Sequence, residues 1–298
     1  MGLNFIRLIA VNFMNTGEMN YGNLKLLSEE IAPSRYLFCM QDSAKMISWQ
    51  ITMADGSVRD ILFDEMNGES AIEAIGSKIF FNAKSMPMAG FQNFNLEGLE
   101  FRKLEENDSG IVFVPEDGKN LPCTPRVTYK LSELYFHIEI ALTNNGSMPM
   151  YWRPAIHFFV NLPWTSETPI EKYIIKTLAK KRLRISDSMC VINSVKAAEK
   201  TSLELLNDGA IGFTQLQDSK VWVGTSNEEE GLSFIFANRT QKSVFVLRKT
   251  VTSGKTEVAF LCDIPSEADD AIANGDMKTY MPIAPGGTEI FSAEISAY

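Results

Sequence analysis

Histidine is nearly absent from this sequence: His137 and His157 are the two in 298 residues. A His-rich metal centre is therefore excluded, and no metal site is expected. Cysteine is almost as scarce. Cys39, Cys123, Cys190 and Cys262 lie far apart and form no Cys-x-x-Cys pair, so the four read as reduced, structural thiols. No uncharged apolar run reaches the roughly 18 residues of a membrane span. The apolar stretch that starts at Leu8 stops at Asn12, short of the roughly 7–15 apolar residues of a secretion signal. These absences lead to the expectation of a cytoplasmic protein with no membrane partner.

Positive charge is also in deficit. Twenty-eight Lys and Arg stand against 37 Asp and Glu, a net charge of −9, which argues against a sequence-independent grip on a phosphate backbone. Nucleic acid is not an expected partner. A Gly-x-Ser-x-Gly elbow is missing, and neither histidine has a cysteine near it in sequence. Gly286-Gly287 follows Pro285 without a Lys-Ser/Thr, so it reads as a turn and not as a phosphate loop. No Pro-, Gly- and Ser-rich linker divides the chain, and residues 1–298 read as one domain.

What the sequence does contain is period-two alternation along its whole length. Leu134 to Leu142 is the clearest stretch: Phe136, Ile138, Ile140 and Leu142 fall on one face, and Tyr135, His137, Glu139 and Ala141 on the other. Similar runs are Arg35–Met40, Met46–Met53, Lys78–Asn82, Ile111–Val114, Arg126–Leu131 and Glu171–Lys176. Lys220–Thr225, Gly231–Ala237, Ser243–Lys249, Thr256–Cys262 and Thr288–Ile295 follow. Turn signals such as Asp55-Gly56, Asp117-Gly118, Asn144-Asn145-Gly146 and Pro285-Gly286-Gly287 separate many of them. Only Asn193 to Leu206 has a helical composition. A dozen strands with so little helix exclude a doubly wound nucleotide-binding fold and imply an all-β protein, a large sandwich or barrel. Glu228-Glu229-Glu230 reads as a solvated hairpin tip.

The two histidines bound the chemistry. His137 sits mid-strand opposite Phe136 and Ile138 and reads as a surface or inter-sheet residue. His157 lies within the aromatic segment Tyr151–Trp164. By pattern alone it is either a packed core histidine or an acid or base at the floor of a sugar cleft, where aromatic faces stack on pyranose rings.

Four segments in order resemble the galactose mutarotase (aldose 1-epimerase) superfamily. Met86-Pro-Met-Ala-Gly-Phe-Gln-Asn93 is similar to its Pro-x-His-Gly-Phe-x-Arg segment. Thr143-Asn-Asn-Gly-Ser-Met-Pro-Met150, followed by Ala155-Ile-His-Phe-Phe159, resembles an Asn-x-Gly-x-x-Pro-Met hairpin leading into a His-Pro-Tyr-Phe-like strand. Leu205-Leu-Asn-Asp-Gly-Ala210 is similar to a Leu-Phe-x-x-Asp-Ala segment. Phe260-Leu-Cys-Asp-Ile-Pro-Ser-Glu-Ala-Asp-Asp-Ala271 resembles the Glu-Pro-Trp-x-Gly-x-x-Asp stretch, and Pro285-Gly-Gly-Thr288 the Pro-Gly turn before the last strand. Together the matches run from about residue 60 to the end.

The resemblance implies a large antiparallel β-sandwich with very little helix, a small-molecule sugar as partner, and no cofactor. It implies mutarotation by acid–base ring opening, with His157 as the general acid and Asp263 where the catalytic glutamate stands, one methylene shorter. Asp208 matches an aspartate that binds sugar hydroxyls; without the resemblance it is a turn residue before Gly209. Gln92, Asn93 and Arg153 lie near the matched segments and are candidate substrate-binding residues, Arg153 having a salt-bridged surface position as its alternative. The sequence departs from the family pattern at Ala89, where a histidine is usual, at Asn93, where an arginine is usual, at Gly68-Glu69 in place of Gly-Arg, and at Pro265 in place of Trp. Alanine cannot donate a proton or a hydrogen bond from its side chain. Those departures motivate the alternative of a catalytically degenerate carbohydrate-binding protein of the same fold. A polysaccharide-processing relative comes last, because the chain is short for one.

Overall fold

The structure is a computed structural model. It describes residues 16–21, 24–41, 43–62, 77–80, 83–85, 92–94, 99–107, 110–117, 121–162, 169–187, 189–236, 243–249, 256–261 and 280–298. These residues form β1 (Gly17–Tyr21), β2 (Leu24–Ile31), β3 (Ser34–Cys39), β4 (Lys45–Thr52), β5 (Val58–Leu62), β6 (Ser77–Phe80), β7 (Ala83–Ser85) and β8 (Gln92–Phe94). Next come β9 (Phe101–Asn107), β10 (Gly110–Pro115), β11 (Cys123–Leu131), β12 (Tyr135–Asn144), β13 (Met150–Trp152), β14 (Ala155–Val160), β15 (Tyr173–Ile185) and β16 (Val191–Lys196). The last are β17 (Lys200–Ser202), β18 (Ala210–Thr225), β19 (Gly231–Phe236), β20 (Val244–Lys249), β21 (Thr256–Leu261), β22 (Met281–Ile283) and β23 (Thr288–Ala297). Ile170–Lys172 and Leu203–Asp208 are short 3-10 segments.

Two layers share the long strands β15 and β18. The second half of β18 pairs with β19, and that layer continues through β23, β12, β11 and β10 to β9. The first half of β18 pairs with β20, and the other layer continues through β21 to β14. There β5 and β6 join β14, and β4, β3, β2 and β1 follow. All these pairings are antiparallel, the geometry that tight turns and an alternating sequence favour.

Alternation decides which side of each strand is buried. On β12, Phe136, Ile138, Ile140 and Leu142 are completely buried, as their spacing requires. Aromatic rings carry the contact between the layers. Phe136 lies 5.3 Å from Trp49 on β4 and 5.6 Å from Phe158 on β14, both edge-on. Phe38 on β3 lies 4.8 Å from Tyr129 on β11, and Phe234 on β19 lies 5.4 Å from Phe245 on β20. Tilted and edge-on pairs are what ring quadrupoles favour, and each fully buried Phe contributes roughly 1.5–3 kcal/mol.

Two of the turns legible in the sequence meet in space. Buried Asn144 donates from Nδ2 to the carbonyls of Met148 at 2.8 Å and Ile283 at 3.0 Å, and its Oδ1 accepts from the Gly146 N–H at 2.9 Å. Its backbone N–H donates to Gly287, and its carbonyl accepts from Gly286. One asparagine thus closes its own turn and ties it to the Pro285-Gly286-Gly287 turn. This fixes the start of β13, which belongs to a small separate sheet ordered β22–β13–β7–β8.

The helix expected over Asn193–Leu206 does not form. Asn193–Lys196 is part of β16, Lys200–Ser202 is β17, and only Leu203–Asp208 turns, as a 3-10 helix. The reason is local. Ser202 caps the segment by accepting from the Glu204 N–H, and Leu203 and Leu206, three apart, bury themselves in the main core. Upstream, Val191 and Val195 follow their β preference into a pairing with β15. The Glu228–Glu230 tip is a turn, but it is anchored: Glu228 pairs with Lys176 and Glu230 accepts from the Tyr173 hydroxyl.

Candidate functional site

β14 is a central strand of its layer, flanked by β21 on one side and β6 on the other, with His157 in register with Ala259 and Lys78. Its alternation splits the aromatic segment. Ile156, Phe158 and Val160 join the core between the layers, and Phe158 packs edge-on against both Phe136 and Phe260. His157 therefore projects from the opposite face of the sheet. Phe158, next to it in sequence, belongs to the core between the layers, whereas Phe159 is buried on the same face as His157.

On that face His157 meets a carboxylate absent from the sequence-based set. Nδ1 of His157 lies 2.6 Å from Oε1 of Glu257, which comes from β21 opposite Phe159, two pairs further along and so on the same face. The second oxygen, Oε2, accepts from Nε of Arg248 on β20, directly opposite Glu257. The side chain of Glu257 is 3% exposed and that of His157 11%. Burial alone would push the Glu257 carboxyl up. The hydrogen bond and charge of His157, and then those of Arg248, outweigh it and hold Glu257 below the ordinary carboxylate value.

An ionised Glu257 can only accept, so Nδ1 of His157 carries the proton and Nε2 is the ring atom that presents the other function. Both Glu257 oxygens are engaged, and its depressed proton affinity makes it a poor base. Its chemistry is to orient the imidazole and to stabilise the imidazolium. No sequence motif marks this group. Only the register of β20, β21 and β14 brings the three residues together, and a buried charge such as that of Glu257 needs a partner.

The other expected residues distribute as follows. Arg153 follows β13 and lies over the Tyr280 ring at 5.1 Å, a cation–π contact. Gln92 and Asn93 are on β8, two strands from β13 in the small sheet, where Asn93 pairs with Lys84 and Lys84 with Tyr151. Asp208 is exposed at the end of the 3-10 helix. Its neighbour Asn207 accepts from Lys249, the residue after Arg248, at 2.8 Å. Asp263, Ala89, Gly68, Glu69, Pro265 and Cys262 lie outside the described residues. His137 is half-buried between Lys130 and Glu294, and burial lowers its proton affinity first of all.

Among the described residues no cluster of His, Cys, Asp or Glu could hold a metal ion. Cys39 and Cys123 are buried, and Cys190 is partly exposed. No helix among the described residues is long and apolar enough to cross a membrane. A cavity of about 460 Å³, lined by residues such as Glu18, Lys25, Phe101 and Arg102, shares no residue with the His157 group.

No protein-family model matches the chain, and no curated protein matches it. Solved structures do. A galactose mutarotase related enzyme from Lactobacillus acidophilus superposes with a TM-score of 0.72 at 13% identity, covering 92% of this chain and 97% of that one. A galactose mutarotase-like protein from Clostridium acetobutylicum gives 0.71 at 11% identity, covering 94% and 97%. An aldose epimerase homologue from C. elegans gives 0.65 at 10% identity, covering 92% and 99%. Likeness of this extent, with the shared antiparallel architecture, establishes that this chain has the galactose mutarotase-like fold.

Proposed function

We propose that the protein is an aldose 1-epimerase-like isomerase that interconverts the α and β anomers of a sugar, acting as one domain over residues 1–298 in the cytoplasm. The observation that carries this reading is His157 itself. It is held in a single tautomer by a buried, ionised carboxylate, on the sheet face turned away from the core.

In the proposed reaction, protonated His157 donates from Nε2 to the ring oxygen while a base takes the proton of the C1 hydroxyl. The C1–O bond to the ring breaks and leaves an open-chain aldehyde. Rotation about C1–C2 presents the other carbonyl face, and both proton transfers reverse as the ring closes. Glu257 holds the imidazole ring in place throughout and compensates its charge while Nε2 carries the proton. The base is assigned to Asp263 on the family resemblance alone; Glu257 is engaged on both oxygens. Asp208, Gln92, Asn93 and Arg153 are assigned to sugar hydroxyls. General acid–base catalysis of this kind contributes typically ~10²–10⁴-fold each way.

The test is anomer exchange followed by NMR on freshly dissolved α-D-glucose, α-D-galactose and a wider aldose panel, with His157→Ala alongside. Acceleration by the wild type that vanishes in the variant supports the isomerase. Exchange no faster than in buffer across the panel, with sugar binding retained, would sink it in favour of a carbohydrate-binding protein.

A further inference from the structure

We infer that the β15–β16 ribbon is a docking edge for an extended acidic polypeptide segment, which adds as a strand to β16. This surface is built from different strands than the His157 group, and its role is independent of the sugar chemistry.

Three observations meet there. First, β16 pairs with β15 alone among the described strands, so among the described residues nothing pairs with its outer backbone edge. Second, three apolar side chains stand out of the ribbon: Ile192 is 45% exposed, Val195 47% and Leu178 46%. A strand laid along β16 would cover Ile192 and Val195. Third, the ribbon carries Lys180, Lys181, Arg182, Arg184 and Lys196 in a chain whose net charge is −9.

The arrangement of those charges identifies the partner. Lys181 and Lys196 are directly opposite each other across the two strands. Like charges in that position destabilise a sheet. A similar pairing on the same strand, Lys176 opposite Lys200, is relieved by Glu228, which binds Lys176 at 2.8 Å. Among the described residues no carboxylate forms an ion pair with Lys181 or Lys196. A strand added to β16 extends that row by one residue beyond Lys196, and a carboxylate at that place would relieve the repulsion. A second copy of this chain, edge to edge, would instead set five more cations against these five. A polysaccharide or a nucleic acid could meet the charge but could not pair with that backbone edge.

The probe is a fluorescein-labelled eight-residue peptide alternating glutamate and valine, titrated into the full chain and read by fluorescence anisotropy. Saturable binding is expected. It should weaken at least ~10-fold in a Lys181→Glu, Lys196→Glu double variant whose circular dichroism is unchanged. It should weaken similarly when alternate amides of the peptide are N-methylated, which keeps the charge and removes strand pairing. Hydrogen exchange of the bound complex should show new protection in β16. The inference is overturned by the absence of saturable binding, by equal binding of the N-methylated peptide or of an oligothymidylate, or by self-association of the protein through β16.

Discussion

Glu257 Oε1 lies 2.6 Å from Nδ1 of His157, a hundred residues earlier in the chain, and Arg248 holds the other carboxylate oxygen. Three adjacent strands, β14, β21 and β20, each supply one member, so the geometry is set by sheet register and not by a mobile loop. The consequence is a carboxylate that acts through the histidine. Glu257→Gln keeps the shape but removes the charge that fixes the tautomer. Turnover is expected to fall ~10–100-fold with KM little changed, by analogy with other carboxylates that orient a working histidine. A merely structural role would move stability and leave kcat alone. Nitrogen-15 shifts of the His157 ring give a second readout: the wild type should show the Nδ1–H form, and the variant a mixture of tautomers.

The same carboxylate should leave a mark on stability as pH falls. Its folded proton affinity is depressed below the ordinary value of 4.5. A depressed carboxylate contributes stability that is fully present above its unfolded value and is lost as pH drops through the lower folded one. The Tm difference between wild type and Glu257→Gln is therefore expected to be constant from neutral pH down to about 5.5 and to shrink below about 4.5. A difference that grew on acidification would mean that Glu257 is raised, not lowered, in the folded state.

Alternation made much of this fold legible. Phe136, Ile138, Ile140 and Leu142 are buried as spaced, and the strands at Arg35–Met40, Gly231–Ala237 and Thr256–Cys262 lie within a residue or two of β3, β19 and β21. The segment Asn193–Leu206 was misread because its charged residues and leucines suit a helix in isolation. Tertiary pairing of Asn193–Lys196 with β15 overrides that preference. In the candidate site, His157 could be picked out because histidine is so scarce. Glu257 and Arg248 could not. Each reads as an ordinary charged residue in a strand, and only the register of β20, β21 and β14 shows that they converge. Arg153's ring partner, Tyr280, comes from a segment 127 positions later, beyond the reach of local pattern.

Gly231 tests the packing at the far end of the shared strand β18. A Cβ added there would sit 2.7 Å from the Gly224 Cα and 2.8 Å from the Val223 carbonyl oxygen. Both neighbours are backbone, and neither can swing aside. Gly231→Ala is expected to cost about 2–3 kcal/mol, in the range of overpacked cores. It should also perturb the fluorescence of Trp222, whose ring covers the glycine pair and meets Tyr298 edge-on at 5.3 Å. Urea denaturation showing a loss under ~0.5 kcal/mol, the scale of an ordinary surface change, would mean that β18 and β19 can separate at little cost.

Lys196 gives a prediction of the opposite sign. Most substitutions destabilise, but Lys196→Glu replaces a lysine facing Lys181 with a carboxylate facing it. Both positions are exposed, so solvent screening keeps the gain small, a few tenths of a kcal/mol, or about 1 °C in Tm. Raising the salt toward 1 M, where the screening length falls to about 3 Å, should erase the gain. Arg184 is the control, because it faces Asn193 and not a lysine. Arg184→Glu relieves no direct repulsion and should bring no comparable rise. If Lys196→Glu lowered Tm at low salt, the two lysines would not be repelling each other, and the strongest reason for an acidic partner on this edge would be gone.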